Sequence, residues 1–242
     1  MNFFVKNNQI KNDFIFITNS DVNHIKNVLR KMPGDLIDVV CDEYKYKAKI
    51  EELEKDFIKC SIIDKTKFQN EDFKLTIFQG LAKADKIEYI IQKCTEIGVY
   101  EIIPTEMKRC VVKLDEKDKL KKIDRWQKIA EVASKQSLRN DILKINKILN
   151  FNQMCVALKS YDCLILAYEK ENDTMLKSVI RNDIKKYKNI AVIVGPEGGI
   201  DDDEAEKLIN IGAKSVSLGK RILRTETAPI AISAIIMYEA DE

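Results

Sequence analysis

Arg221, Arg224, Thr225, Glu226 and Thr227 crowd one short stretch, immediately before a very apolar run that reads as a last helix. Arginines at a helix N-terminus oppose the helix dipole, so their placement calls for an anion or a carboxylate beside them. That group is either a ligand or an internal partner such as Glu226 or Glu197. A second cluster, Gly195-Pro196-Glu197-Gly198-Gly199, follows the apolar run at residues 190–194, which reads as a buried strand. The turn therefore falls where open α/β sheets place their ligands. Its glycines allow close backbone approach, as does Gly219 after Leu218 in the later stretch, and Glu197 adds a negative charge. A purely structural tight turn is the alternative.

The first turn is neither the G-x-G-x-x-G of dinucleotide enzymes nor a P-loop, because no Gly-Lys-Ser/Thr follows it. Asp201-Asp202-Asp203-Glu204 opens the next helix, and such an acidic start repels phosphate. A neutral or cationic ligand suits the turn better. His24, the single histidine, lies far from both turns in sequence, which counts against a nucleophile-plus-histidine hydrolase. The cysteines (Cys41, Cys60, Cys94, Cys110, Cys155 and Cys163) form no C-x-x-C pair. They read as buried free thiols rather than disulfides or a zinc site.

These residues need a scaffold, and the pattern supplies two kinds. Residues 3–5, 14–18, 36–41, 46–51 and 57–63 read as short strands of a small barrel or sandwich. A helix over 22–30, with Ser20 or Asp21 as N-cap, interrupts them. Residues 64–72 read as a linker. From Leu75 strands alternate with helices. A strand at 75–78 leads to a helix capped by Asp85, with Glu88 completing a capping box and Gly98 ending it. A strand at 99–104 precedes a helix over 115–138 that buries Leu120, Ile123, Trp126, Ala130 and Ala133. Further strands follow at 163–167, 190–194 and 216–218. The last helix, 227–238, is apolar nearly all round, so it is central or lies in an oligomer interface. Alternating strands and helices predict a mostly parallel α/β sheet.

Composition sets the class: 242 residues, 45% hydrophobic and 33% charged, describe a soluble globular protein of one or two domains. No apolar run reaches the roughly 18 residues of a membrane span, and residues 1–6 lack a signal-peptide layout, so the expected location is the cytoplasm. Net charge is only +2. Residues 105–150 nevertheless hold 13 Lys and Arg against 7 Asp and Glu, a local excess of 13 − 7 = +6. Such a segment faces phosphates or is a solvated helical surface.

Taken together, Val194-Gly195-Pro196-Glu197-Gly198-Gly199-Ile200 and Ser217-Leu218-Gly219-Lys220-Arg221-Ile222-Leu223-Arg224-Thr225-Glu226-Thr227-Ala228 closely resemble the RsmE family of SPOUT methyltransferases. Further matches are His24 to Arg30, Lys83-Ala84-Asp85-Lys86, Gln92 to Gly98, and Ser134-Lys135-Gln136-Ser137-Leu138-Arg139. Asn23 stands where a second histidine is frequent, and Ala84 and Leu138 where glycine is frequent. The resemblance implies S-adenosylmethionine-dependent methylation of N3 of a uridine in 16S ribosomal RNA. It implies an N-terminal PUA-like β-barrel at 1–70 for RNA and a C-terminal SPOUT α/β domain at 73–242 with a deep trefoil knot. It also implies a homodimer acting on free RNA or an assembled subunit. The cofactor site would comprise Leu166, Val194, Gly195, Pro196, Glu197, Gly198, Gly199, Leu218, Gly219, Ile222 and Leu223. Arg224 and Glu226 would be catalytic, and Lys26, Arg30, Arg109, Gln136 and Arg139 would contact RNA. Methylation of another RNA base, or a noncatalytic ribosome-assembly module, are the alternatives.

Overall fold

The computed structural model describes residues 1–68 and 73–240, apart from the side chains of Ala84, Asn182, Asp183 and Lys185. It divides into a unit of Met1–Asn70 with Ser134–Ile142, and a unit of Glu71–Ala133 with Leu143–Glu242.

The first unit is built on a six-stranded sheet of order β1-β4-β5-β6-β3-β2. Its strands are β1 (Asn2–Phe4), β2 (Ile10–Lys11), β3 (Phe14–Thr18), β4 (Leu36–Cys41), β5 (Tyr44–Leu53) and β6 (Phe57–Lys67). Alternate residues such as Ile15, Ile17, Val39, Ala48, Ile50, Ile58 and Cys60 are turned inward to an apolar core. The expected linker begins too early. Residues 64–67 continue β6 opposite Tyr44–Lys47, where Lys65 stacks its ammonium 4.0 Å from the Tyr44 ring centre. Residues 69–72 of that linker lie outside the described residues.

The expected helix over 22–30 is instead a short α1 (Ser20–Asn23) running into a π-helical turn, His24–Val28. Neither Ser20 nor Asp21 caps it. The N-cap is Asn19, without a side-chain hydrogen bond. The segment 134–142 supplies the end of α3 (Glu116–Gln136), where Leu138 takes φ +61° and the Arg139 N–H donates to the Ser134 carbonyl. This is a left-handed helix stop, which favours glycine. Leu138 occupies it with strain, while Asn2 Nδ2 donates to the carbonyls of Leu138 and Arg139 at 3.0 and 2.8 Å.

The second unit carries a wholly parallel sheet of order β10-β8-β7-β12-β11-β13, with β9 also paired to β8. Its strands are β7 (Lys74–Gly80), β8 (Glu101–Glu106), β9 (Lys144–Ile145), β10 (Leu149–Asn150), β11 (Cys163–Ala167), β12 (Asn189–Val194) and β13 (Lys214–Val216). The longer strands β7, β8, β11 and β12 are buried almost throughout, as strands covered on both faces are. The covering helices are α2 (Ala84–Ile97), α3, α4 (Phe151–Ala157), α5 (Leu176–Asp183), α6 (Asp202–Asn210) and α7 (Thr227–Ala240). In α2, Ile87, Ile90, Ile91 and Cys94 are fully buried, and Gly98 ends the helix at φ +108°. The expected capping box is absent because the helix starts two residues early, with Lys83 as N-cap and Asp85 inside the first turn. In α3, Trp126, Ala130 and Ala133 are buried, whereas Leu120 is exposed. Among the described residues no helix is long and apolar enough to cross a membrane.

Candidate active site

Ligands of open parallel sheets bind beyond the carboxyl ends of the strands. The segments leaving the neighbouring strands β12, β11 and β13 meet there and enclose a cavity of about 780 Å³. Its walls include Tyr168, Glu169 and Glu171 after β11, residues 194–199 after β12, and residues 216–225 after β13.

The wall after β12 is tightly packed. A Cβ on Gly80, at the end of β7, would lie 2.5 Å from Pro196 N. One on Gly198 would lie 2.9 Å from the Arg109 carbonyl oxygen, so only glycine fits at either place. The acidic start of α6 is bound to residues 107–110. Lys108 Nζ pairs with Asp201 at 2.7 Å and Asp203 at 3.2 Å, and its N–H donates to buried Glu204 at 2.9 Å. The lysine hydrogen bond holds the Asp201 carboxyl below the usual range, whereas burial pushes Glu204 up. Burial, with the Asp202 carboxylate, pushes the Tyr168 phenol up to about 12. It therefore stays protonated at neutral pH and donates to Asp202 at 2.7 Å.

One buried polar knot joins this wall to the next. Thr225 Oγ1 donates to the Gly195 carbonyl at 2.7 Å, and Gln79 Nε2 donates to Thr225 Oγ1 at 3.1 Å and to Gly195 O at 3.3 Å. Beyond it the wall after β13 opens out. Gly219 sits at φ +119° with no described atom within 4 Å of where a methyl group would stand, Ile222 is 83% exposed, and the Arg224 side chain is 81% exposed.

The expected site residues fall into three groups. Val194, Gly195, Pro196, Glu197, Gly198, Gly199, Leu218, Gly219, Ile222, Leu223 and Arg224 line the cavity. Leu166 is fully buried in β11, and the wall begins one residue later at Ala167. Glu226 stands behind the wall, its Oε2 3.3 Å from Lys86 Nζ and its Oε1 4.0 Å from Arg224 Nη1. Arg109 is directed inward: Nη1 donates to Gly198 O at 3.5 Å and Nε pairs with Asp201 at 3.4 Å. Lys26 Nζ donates to the Glu54 carbonyl at 3.2 Å, Arg30 and Gln136 are exposed, and Arg139 pairs with Asp141 through two nitrogens. The basic stretch at 105–150 is partly neutralised from outside itself, since Lys108, Arg125, Lys135 and Lys144 pair with Asp201, Glu88, Asp21 and Glu101.

Comparison with known proteins places this geometry. Residues 69–237 match the model of the RNA methyltransferase domain, and residues 17–63 that of the RNA methyltransferase PUA domain. The chain is 38% identical to ribosomal RNA small subunit methyltransferase E of Bacillus subtilis (strain 168), over 93% of this chain and 90% of that one. It belongs to the ribosomal RNA small subunit methyltransferase E family. The family member of Mesomycoplasma hyopneumoniae (strain 232) is 35% identical, over 94% of this chain and 95% of its own. The Neisseria gonorrhoeae member, solved bound to S-adenosyl methionine, matches at TM-score 0.83 and 30% identity, over 98% of this chain and 96% of that one. The fold is accordingly α/β, with a PUA-like domain and an RNA methyltransferase domain.

For a ribosomal RNA small subunit methyltransferase E, the cavity fits a sulfonium cofactor on its own chemistry. Carboxylates of Glu169, Glu171 and Glu197 suit cationic and hydroxyl groups, apolar Val194, Val216 and Leu218 suit a flat ring, and glycine backbone admits both closely. Residues that sequence reasoning did not assign to the site are Gln79, Lys86, Tyr168, Glu169 and Glu171. Lys86 carried a signal, since it lies in the Lys83–Lys86 match. Gln79 lies just past the strand expected at 75–78, and only its buried hydrogen bonds reveal what it does.

Proposed function

We propose that this chain transfers a methyl group from S-adenosylmethionine to N3 of a uridine in small-subunit ribosomal RNA. The observation that carries the reading is the cavity at the carboxyl ends of β11, β12 and β13, walled by a carboxylate-bearing glycine turn on one side and a cationic loop on the other. The bound cofactor supplies a methyl group on positively charged sulfur. Backbone of residues 194–199 and 218–223 holds it, and the glutamates balance its charge. Because the transfer is an in-line displacement, much of the rate comes from alignment. The uracil must also lose its N3 proton. Arg224 stabilises negative charge developing on the uracil oxygens, and Glu226 or Glu197 handles the proton.

The same reading assigns RNA capture to the N-terminal unit, closed as a barrel over residues 1–70, with Lys26, Arg30, Gln136 and Arg139 as contacts and Arg109 nearer the cavity. Residues 73–242 form the methyltransferase domain, knotted where the chain passes through the 195–200 and 217–227 segments. The buried Thr225-to-Gly195 hydrogen bond supports close passage of those segments. A homodimer uses α7, whose Ile235 and Tyr238 are 44% and 66% exposed on an apolar helix. The protein works in the cytoplasm. The test is transfer of labelled methyl from S-adenosylmethionine to small-subunit RNA, free and assembled, with the product base mapped. N3-methyluridine is the expected product; label on another base, or none despite cofactor binding, overturns the proposal.

A further inference from the structure

Lys86, on the first turn of α2, reaches across to the site and stands between two carboxylates. Its Nζ is 3.7 Å from Glu197 Oε1 and 3.3 Å from Glu226 Oε2, and all three side chains are only 18–24% exposed. Glu197 Oε1 also accepts the Lys83 N–H at 3.0 Å, which fixes the carboxylate at the N-terminus of α2. The second oxygen, Glu197 Oε2, is buried without a hydrogen-bond partner among the described residues. So is Glu226 Oε2, because its approach to Lys86 lacks hydrogen-bond alignment. Of the two glutamates, only Glu197 lines the cavity. A buried carboxylate oxygen without a donor is costly, and such groups persist where function requires them.

A lysine ammonium between two carboxylates attracts both and fixes their positions relative to each other. We propose that Glu197 is the catalytic proton acceptor and that Lys86 is the positioning residue that holds it in place, with Glu226 as the counterweight on the far side of the lysine. This deepens the methyltransferase reading and rests on it. In the step, the N3–H bond breaks and the proton passes to a Glu197 carboxylate oxygen. The electron pair left on N3 forms the N–CH3 bond, and the pair of the breaking C–S bond leaves with sulfur. Protonated Glu197 then returns its proton to solvent after product release. Tyr168 is no competitor for this role, since its phenol is held protonated by burial and by Asp202.

The test is steady-state methylation of small-subunit RNA by wild type, Glu197→Gln, Lys86→Met, Lys86→Arg and Glu226→Gln, with S-adenosylmethionine affinity measured by calorimetry. Gln at 197 keeps an oxygen for the Lys83 N–H, so its effect reports on basicity. Glu197→Gln should lower kcat by about 100-fold, as for loss of a general base, with the KM for RNA within about twofold. Lys86→Met should lower kcat by about 10-fold to 30-fold at unchanged cofactor affinity, Lys86→Arg should recover to within about threefold, and Glu226→Gln should cost less than Glu197→Gln. The proposal is overturned if Glu197→Gln keeps its kcat, or if Lys86→Met loses cofactor affinity in step with kcat and arginine does not rescue it. Should Lys86→Met not fold, the Lys86→Arg and Glu226→Gln comparison decides by the same criteria. A wild-type protein that methylates no small-subunit RNA would instead remove the reading beneath it.

Discussion

The two walls of the cavity are made of similar residues and behave oppositely. Both carry glycine, charge and apolar side chains, yet the wall after β12 is locked and the wall after β13 is open. On the first, Gly80 and Gly198 are glycines because neighbouring backbone occupies the space a side chain would need, and Lys108 with Arg109 ties the following acidic turn down. On the second, Gly219 is a glycine because of its left-handed backbone alone, and Ile222 and Arg224 stand in solvent. The locked wall is preorganised for one ligand shape, which lowers the entropic cost of binding. The open wall leaves the Ile222 side chain and the Arg224 guanidinium facing solvent.

This contrast can be broken at defined points. Gly80→Ala should be the most damaging, since the added methyl meets Pro196 backbone. A loss of about 3 kcal/mol is expected for such overpacking, read by denaturant unfolding, together with lost cofactor affinity. Thr225→Val removes the bond that joins the walls while keeping side-chain volume. It should cost about 2 kcal/mol, and the equilibrium midpoint should fall without a change in slope. Gly219→Ala meets no described atom and changes only backbone preference, so about 1 kcal/mol is expected, with cofactor affinity reduced more than stability. An equal loss for Gly80→Ala and Gly219→Ala would erase the distinction between locked and open walls. Arg224→Ala should change stability by no more than about 0.5 kcal/mol, because the side chain is exposed, while turnover falls further than cofactor affinity.

The locked wall is largely legible in the sequence. An apolar run ending in a glycine-rich turn fixes both a buried strand and a close backbone approach, and residues 190–199 have that form. Gly98 as a helix stop is equally readable from local chemistry. Of the short helices the sequence reading leaves unassigned, α4 carries a legible start signal, the Asn150–Gln153 capping box, whereas α5 begins after Met175 without a side-chain cap. The Asp85 capping box fails because tertiary contact of the Lys83 N–H with Glu197 supplies the cap that sequence spacing assigns to a local side chain. Lys86 lies within a family-matching segment and still has no legible place in the site, since its role exists only when distant glutamates arrive beside it. Leu138 shows the converse case. Its position resembles a glycine site, and the φ of +61° there gives the physical reason.

One reaction underlies every role assigned to these walls, and nucleoside mass spectrometry of small-subunit ribosomal RNA from cells lacking this protein tests it most directly. N3-methyluridine should be lost from the RNA and restored by the wild-type chain but not by Glu197→Gln. Full retention of N3-methyluridine in the deletion strain would contradict the assignment.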